Sequence, residues 1–439
     1  MKYLLVILVA SVFLGTEIFA IPTPVAQLSI YRICALSVIP LIIYFIIQRN
    51  SHIKLYKNTY SNFAVGVFIF WWIWAMISFI WTQDTMRWLQ TVFLLTIGIS
   101  SIIAIYLWTR NIGDWKLLLK GSWVTMTFLV GLGFSEIITN NYLFANLDKL
   151  DKYNTFDTQP LTRIPITVFE NQNDFGIMLI AYVAVTLILY YMTPRILKRM
   201  GLLISALAGT FLIYQTGSRL ALISVILFYI VFMALKFKID FNRKHYLIMI
   251  SAVVISVILA VIFVPDVREM VVSLIVPQDA GTISGDAARI NLLRNGLIYL
   301  SLTFGFGVGA GNIEAWMEML PIYNANGIIN IHNWWAEILV GFGLIIFVLY
   351  ILMYGLLIYR LFQIRKCQKT REKNISNLII AFLIAFIFGS MTSSNNMLIE
   401  WHWVFFGLII AYIKVNEIKR PVLNSARRRK HNEFNYNFK

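Results

Sequence analysis

The sequence predicts an all-α, polytopic integral membrane protein with about twelve transmembrane helices, on three observations. Of the 439 residues, 59% are hydrophobic and 13% are charged, against about 25% charged residues in an ordinary soluble domain. Twelve apolar runs reach or approach the roughly 20 residues that a bilayer span requires. Basic residues cluster in every second connection between these runs, as in the cytoplasmic loops of membrane proteins. Such a composition excludes a soluble enzyme, a disordered chain and a disulfide-rich secreted module.

The predicted spans follow one another closely except in two places. Their approximate limits are 3–20, 25–47, 63–81, 88–108, 117–139, 173–192, 200–216, 219–235, 246–264, 333–359, 375–392 and 398–415. The seventh and eighth runs are short, so the sequence leaves open whether they are two helices or one broken helix. Glu17 lies where a signal peptide would have a small, neutral cleavage region, which favours a first span over a secretory signal.

Positive charge sets the predicted orientation. With the N-terminus in the cytoplasm, 28 of the 37 Lys and Arg residues fall on the cytoplasmic side. Both termini are therefore expected in the cytoplasm, and the long loops 140–172 and 265–332 outside the plasma membrane. Residues 1–415 would form one transmembrane domain, and 416–439 a basic cytoplasmic tail. Long loops in a compact fold commonly carry function, so we expect the active site on the extracytoplasmic side.

The net charge of +16 does not indicate a nucleic-acid partner, because the basic residues are spread over cytoplasmic loops and the tail. The run Arg427–Lys430 suits anionic membrane lipid better. Metal chemistry is not indicated either. Of five histidines only His332 and His402 can reach the outer half, and the chain has no HExxH motif. We predict neither a metal nor a cofactor.

Three arginines are candidate ligands for an anionic group at the outer face. Arg219 opens the eighth span after a Gly-Ser turn whose backbone N–H groups could also face a phosphate. An interfacial anchor is the alternative interpretation. Arg289 and Arg294 lie in the second long loop, where Ile290, Leu293, Leu297 and Leu300 recur at helical spacing. That spacing predicts an amphipathic helix on the outer membrane surface. Its arginines would form a solvated polar face or contact an anionic lipid-linked substrate.

The last candidates stand at the start of the tenth span. His332 is either an interfacial group beside two tryptophans or, as a neutral imidazole, a base for a sugar hydroxyl. Asn333 and Glu337 share a helix face, whereas His332 and Glu337 do not. Before them, glycines alternate from Gly305 to Gly311. That run lacks the dinucleotide-binding pattern and predicts a tight turn, either flexible or lining a substrate.

Taken in order, these motifs resemble the O-antigen ligase and polymerase superfamily of bacterial surface-polysaccharide assembly. The matching elements are Thr216-Gly217-Ser218-Arg219, Arg289 followed by the glycine-rich turn, and His332-Asn333 running into Glu337-Ile-Leu-Val-Gly-Phe-Gly-Leu. A fourth is Val168-Phe-Glu-Asn-Gln-Asn173-Asp-Phe, where Gln172 replaces a common proline. The motifs cover roughly residues 160–350, and the topology covers the whole chain.

The resemblance implies a metal-independent membrane glycosyltransferase whose donor is a glycan on undecaprenyl pyrophosphate. Arg219 and Arg289 would bind the pyrophosphate, and His332 would activate the acceptor hydroxyl. Arg294, Asn173, Asn333 and Glu337 are expected to contact substrate. A chain-length regulator and a flippase are the expected protein partners. Should His332 not be the base, Glu337 would be the next candidate, followed by the loop acids Asp286 and Glu314.

Three functions remain open on the sequence. A polymerase of lipid-linked repeat units is favoured slightly, because the first long loop is polar and charged. A ligase that moves a finished glycan to another acceptor would use the same donor chemistry. A transporter or lipid-oligosaccharide flippase is less favoured, since such proteins need ionisable groups near the bilayer midplane and the predicted spans carry few.

Overall fold

The computed structural model describes residues 1–48, 59–144, 164–169, 171–237, 285–391 and 399–417. Within these ranges the chain is almost entirely helical, which confirms the predicted fold class. The helices are α1 Lys2–Ser11, α2 Gly15–Ile18, α3 Ile30–Ile47, α4 Tyr60–Ile77, α5 Thr85–Trp108, α6 Ile112–Thr139, α7 Gln172–Met192, α8 Ile196–Gln215, α9 Arg219–Lys236, α10 Gly285–Leu302, α11 Ile313–Met319, α12 Trp334–Lys366, α13 Thr370–Gly389 and α14 at 401–417. One antiparallel ladder pairs Ala20–Ile21 with Leu28–Ser29.

Nine helices in the described ranges are long and apolar enough to cross a membrane. The predicted number of twelve is not confirmed. The predicted span 246–264 lies outside the described residues, and 398–415 corresponds to α14. The prediction of one continuous span over 3–20 was wrong. The chain there forms α1 and the short α2, separated by a turn that ends at Gly15, where φ is +64°.

The seventh and eighth runs are two helices. Helix α8 ends at Gln215, and α9 begins at Arg219 after a turn in which Gly217 has φ of +65°. Glycine takes this left-handed conformation at little cost, whereas a residue with a Cβ is strained in it. The turn therefore breaks the helical path completely, which the apolar pattern alone could not decide.

Helix α7 is the centre of the membrane bundle. Every side chain from Asp174 to Leu189 is buried, and α7 packs against α6, α8, α9 and α13. Small residues let these helices approach closely, as they commonly do in membrane proteins. A Cβ on Gly209 of α8 would lie 2.7 Å from the ring of Tyr182, and one on Gly176 would lie 2.7 Å from Ala221. The packing brings the start of α7 against the start of α9.

A buried ion pair joins α3, near the start of the sequence, to the segment just before α14. Arg32 near the start of α3 donates through Nε to Glu400, just before α14, at 2.6 Å. Both residues are only 6% exposed. Isolated charges are costly in a membrane, so each makes the burial of the other tolerable. The pair places the start of α14 beside the start of α3.

Residues 285–342, which we call the outer unit because the sequence predicts most of them outside the membrane, have a small hydrophobic core of their own. That core comprises Leu292, Tyr299, Val308, Ile313, Met317, Ala325, Ile331 and Val340. The remaining buried apolar residues of the described ranges belong mainly to one large cluster within the membrane bundle. The described part of the second long loop, residues 285–332, is thus folded rather than extended, and it packs against the start of α12.

The predicted helix within this loop is confirmed as α10, and its apolar face on the membrane surface stays a prediction. Leu297 of that face is 55% exposed, while Asn291 and Asn295, on another face, are buried in the protein. The asparagines are buried because their side chains bond the backbone of the segment that returns toward α12. Hydrophobic spacing cannot anticipate a helix face whose packing partners are backbone amides and carbonyls.

Candidate active site

Arg219 is held by a turn that α7 supports. Its neighbour Ser218 caps α9, accepting from the Ala221 N–H at 3.4 Å, and donates through Oγ to Asn173 Oδ1 at 2.7 Å. Thr216 and Ser218 are buried, whereas Gly217 and Arg219 are exposed. The Asn-rich motif and the Thr-Gly-Ser-Arg motif, separated by over forty residues in the sequence, are therefore in direct contact. Arg219 projects from their junction.

The other two candidate arginines lie on α10. Arg289 is exposed, and Arg294 is half-buried with its guanidinium 5.5 Å from the centre of the Tyr323 ring. Arg294 also donates to Asn291 Oδ1 at 3.5 Å. A guanidinium over an aromatic face keeps its charge while its position is restrained. The two arginines thus differ, because Arg289 is open to solvent and Arg294 is engaged by its surroundings.

Side chains of α10 bind the segment that leads to His332. Asn295 donates to Tyr323 O at 2.9 Å and accepts from Tyr323 N at 2.8 Å. Asn291 donates to Asn324 O at 2.8 Å, and Tyr299 donates to Leu320 O at 2.6 Å. These bonds fix the return segment along one face of the arginine-bearing helix.

His332 lies in a tight turn at the start of α12. Its φ is +50°, a conformation that is uncommon for residues other than glycine. The turn is closed by the His332 N–H, which donates to Asn330 Oδ1 at 3.0 Å. Asn333 then caps α12, accepting from the backbone N–H groups of Trp335 and Ala336 at 3.0 and 3.1 Å. The N–H of Trp334 donates to Ser390 O at 3.0 Å, which ties the turn to the end of α13.

The alternating glycines form what we call the glycine clasp, residues 305–309 together with 340–344. Helix α12 is broken at Gly343, where φ is +86° and ψ is 177°. Backbone bonds cross the break: Val308 N donates to Val340 O at 2.9 Å, Gly309 N to Gly341 O at 3.0 Å, and Leu344 N to Gly305 O at 2.9 Å.

The backbones in the clasp are in contact, which explains the glycines. A Cβ on Gly307 would lie 2.5 Å from the amide nitrogen of Gly343, and a Cβ on Gly343 would overlap the Phe306 carbonyl carbon. The connection between α4 and α5 supports the clasp, because Trp81 Nε1 donates to Gly307 O and Ala310 N donates to Ser78 Oγ. The turn expected from the sequence is therefore a closely packed element.

The elements that carry the three motifs are linked by contacts through the end of α13 and the start of α12. Ser390 binds the backbone beside His332, and a Cβ on the adjacent Gly389 would lie 3.4 Å from Ser224 Oγ of α9. On the other side, Gly296 of α10 packs so closely that a Cβ there would lie 2.9 Å from the side chains of both Ile331 and Val340. One end of the bundle thus brings together the elements that carry Arg219, Arg289 and His332.

The remaining predicted site residues take up local structural contacts. The side-chain oxygens of Asn173 and Asn333 accept the bonds described above, and Glu337 lies in the first turn of α12, where its N–H donates to Asn333 O at 2.8 Å. Substrate contact by these residues stays a prediction. Over the described part of the chain, no group of three or more His, Cys, Asp or Glu side chains could hold a metal ion.

Sequence reasoning missed two residues that shape the site, Ser218 as a bridge and Asn330 as the partner of His332. The available signal was local. Ser and Asn side chains commonly bond backbone N–H groups two or three residues later, where they cap helices or close turns. Ser218 directly precedes α9, and Asn330 lies two residues before His332.

Comparison with known proteins agrees with this geometry. The sequence model of the O-antigen ligase family matches residues 202–351, which include the Arg219 turn, α10, the glycine clasp and the His332 turn. The teichuronic acid biosynthesis protein TuaE of Bacillus subtilis (strain 168) is 29% identical over 420 residues, covering 93% of this chain and 83% of that protein.

The resemblance to the O-antigen ligase and polymerase superfamily is confirmed. Because the similarity to TuaE extends over nearly the whole chain, it includes the bundle as well as the outer unit. The nine candidate membrane spans of the described ranges, together with this similarity, support a multi-pass membrane protein that resembles the O-antigen ligase family over residues 202–351.

Proposed function

We propose that the protein is a membrane glycosyltransferase of polysaccharide biosynthesis that polymerises glycan repeat units carried on undecaprenyl pyrophosphate, without a metal, at the outer face of the bacterial plasma membrane. The observation that carries this proposal is the chain of contacts in which α9 and the His332 turn both pack at the end of α13, while α10 packs against the His332 turn and the start of α12. The elements that bear Arg219, Arg289 and His332 are linked by these contacts, which supports their acting on one lipid-linked donor.

The proposed chemistry divides between the two kinds of residue. Arg219 and Arg289 bind the pyrophosphate, which gains negative charge as the glycosidic bond to it breaks. Fixed guanidinium groups stabilise that charge directly. His332 accepts the proton of the acceptor hydroxyl as the oxygen attacks the anomeric carbon. Direct displacement of this kind inverts the configuration at that carbon.

Ligation is the second candidate, because the matching family is described as O-antigen ligase. A ligase would use the same arginines and histidine and differ only in its acceptor. The similarity to a protein of teichuronic acid biosynthesis supports work on a cell-envelope polysaccharide in either case. A polymerase would act with a flippase that presents its substrate and a regulator of chain length.

Reconstitution with a purified lipid-linked repeat unit tests the proposal. We expect a ladder of lipid-linked products that differ by one repeat unit, resolved by gel electrophoresis or mass spectrometry. Transfer of a single glycan to a different acceptor would establish a ligase instead. A protein that consumes no donor with any acceptor, although it is folded and in a bilayer, would contradict both functions.

A further inference from the structure

The conformation of His332 needs support from its neighbours. A left-handed backbone at a residue with a side chain is strained and persists only where the surroundings enforce it. The His332 N–H has its acceptor in the side-chain oxygen of Asn330, two residues earlier. That bond closes the turn that aims the residue before α12 begins, so the position of the imidazole depends on the orientation of one side-chain amide.

An asparagine amide has two different ends. Oδ1 accepts hydrogen bonds and Nδ2 donates them, so a rotated amide would set Nδ2 against the His332 N–H. The Nδ2 of Asn330 faces Glu314 Oε1 at 3.4 Å. An ionised carboxylate can only accept, and its bond to Nδ2 therefore favours the orientation in which Oδ1 faces His332.

Glu314 reaches Asn330 from α11, inside the outer unit. It is half-buried, and its charged neighbours are Glu318 one turn later and Arg87 at the start of α5. Arg87 in turn binds both oxygens of Glu318 at 3.0 and 2.9 Å and lies 3.6 Å from Asp84. Burial raises the pKa of Glu314 above its ordinary value near 4.5, Arg87 opposes that rise, and Glu318 adds to it.

We propose that Glu314 is a positioning residue for His332, acting through the side-chain amide of Asn330. The proposal rests on His332 being the base of the proposed glycosyl transfer. Protonated Glu314 can donate as well as accept, so it no longer discriminates between the two amide orientations. The ionised carboxylate is thus the form that supports catalysis. Activity should fall as the pH drops through the raised pKa of Glu314, which adds an acid limb to the pH profile.

The central experiment measures transfer by the reconstituted protein against pH for Glu314→Gln, whose amide can itself rotate and does not ionise. We expect kcat to fall roughly three- to tenfold, the size of one net hydrogen bond, with the KM for the donor unchanged. The acid limb that belongs to Glu314 should disappear. Glu372→Gln, the same change at an exposed acid in the first turn of α13, is the matched control and should alter neither quantity.

Substitutions of Glu318 and Arg87, the charged neighbours of Glu314, should shift the acid limb of the pH profile in opposite directions while Glu314 is present. Glu318→Gln removes a like charge and releases Arg87, so the limb should shift to lower pH. Arg87→Gln removes the favourable charge, so the limb should shift to higher pH. Both shifts should vanish in the Glu314→Gln background. A limb that moves equally with and without Glu314 would overturn the proposal.

A double-variant experiment tests whether Glu314 acts on His332 through the side chain of Asn330. Asn330→Ala removes the link, so adding Glu314→Gln to it should cost nothing further, whereas independent residues would give additive losses. Thermal unfolding of each variant separates local repositioning from loss of the fold. Full turnover by His332→Ala would refute the role of His332 as the base, and with it the positioning role of Glu314, whereas the proposed function itself fails only if the wild-type protein transfers no glycan. If His332→Ala is inactive while the Glu314 and Asn330 variants match wild type, the positioning role alone is refuted. A loss in Glu314→Gln as deep as in His332→Ala would make Glu314 a catalytic acid instead.

Discussion

The membrane bundle and the outer unit are stabilised in different ways. In the bundle, α7 is surrounded by apolar side chains, and glycines such as Gly209 make room for rings on the next helix. In the outer unit, backbone contacts backbone at the glycine clasp, and asparagines of α10 bond main-chain groups of the return segment. An added methyl group would meet side chains in the bundle, as at Gly209, whereas in the glycine clasp it would meet backbone atoms, as at Gly343.

The largest effect is expected from the outer unit. His332→Ala should lower the chemical step by roughly 10²–10⁴-fold, the usual range for general acid–base catalysis. Donor binding should survive, because the arginines hold the pyrophosphate. Single-turnover transfer and donor binding, measured separately, check both statements.

His332→Gln keeps a hydrogen-bonding side chain but cannot accept the proton. Wild-type turnover by this variant would make the imidazole structural and direct attention to Glu337. Failure of both His332 variants to bind donor would instead place His332 in the phosphate site.

Variants of the two arginines allow a direct comparison of the two regions, because Arg219 lies in the membrane bundle and Arg289 in the outer unit. Either change to alanine should reduce transfer about a hundredfold, corresponding to roughly 3 kcal/mol of stabilisation for a developing charge. Lysine should restore only part of it, because it lacks the guanidinium fork. Rates at saturating acceptor give the measurement. Arg294→Ala is the comparison, with a smaller expected loss, because Arg294 already engages Asn291 and Tyr323.

Substitutions in the glycine clasp are expected to have the smallest effect. They also test most directly the difference between the membrane bundle and the outer unit. Gly343→Ala should lower the free energy of unfolding by roughly 1–3 kcal/mol from backbone strain, and further from overlap with Phe306. Gly327→Ala carries left-handed strain, at φ of +74°, with open space around the new methyl group. Gly355→Ala in the helical part of α12 meets neither problem. Thermal unfolding should rank the three in that order, and equal stability of Gly343→Ala and Gly355→Ala would refute the clasp.

Sequence patterns predicted the bundle better than the outer unit, for a physical reason. A span is defined by the apolarity of some twenty residues, so helices such as α5, α6 and α7 were found within a few residues of their bounds. The break at Gly343 and the burial of Asn291 and Asn295 arise from contacts between distant segments. Composition and spacing carry no record of such contacts, and the buried asparagine face of α10 was accordingly not predicted.

The residues of the candidate site also divide into those that the sequence singled out and those that it did not. Arg219, Arg289 and His332 stood out because charge and imidazole are scarce at the predicted outer face. Their supports, Ser218, Asn330 and Glu314, are ordinary polar residues whose importance depends on a partner over a dozen residues away or on a backbone angle. Roles of individual residues in catalysis stay predictions until the variants are measured.

The break in α12 also bears on how the chain is assembled in the membrane. Backbone N–H and C=O groups without partners cost several kcal/mol each in hydrocarbon, so a helix interrupted at Gly343 needs its partners as it enters the lipid. Those partners lie on residues 305–309, which precede α12 in the chain and are synthesised first. The order of translation therefore supplies the bonding groups of the interruption before α12 is made, whereas the bond from the Trp334 N–H to Ser390 O forms only after α13 has followed.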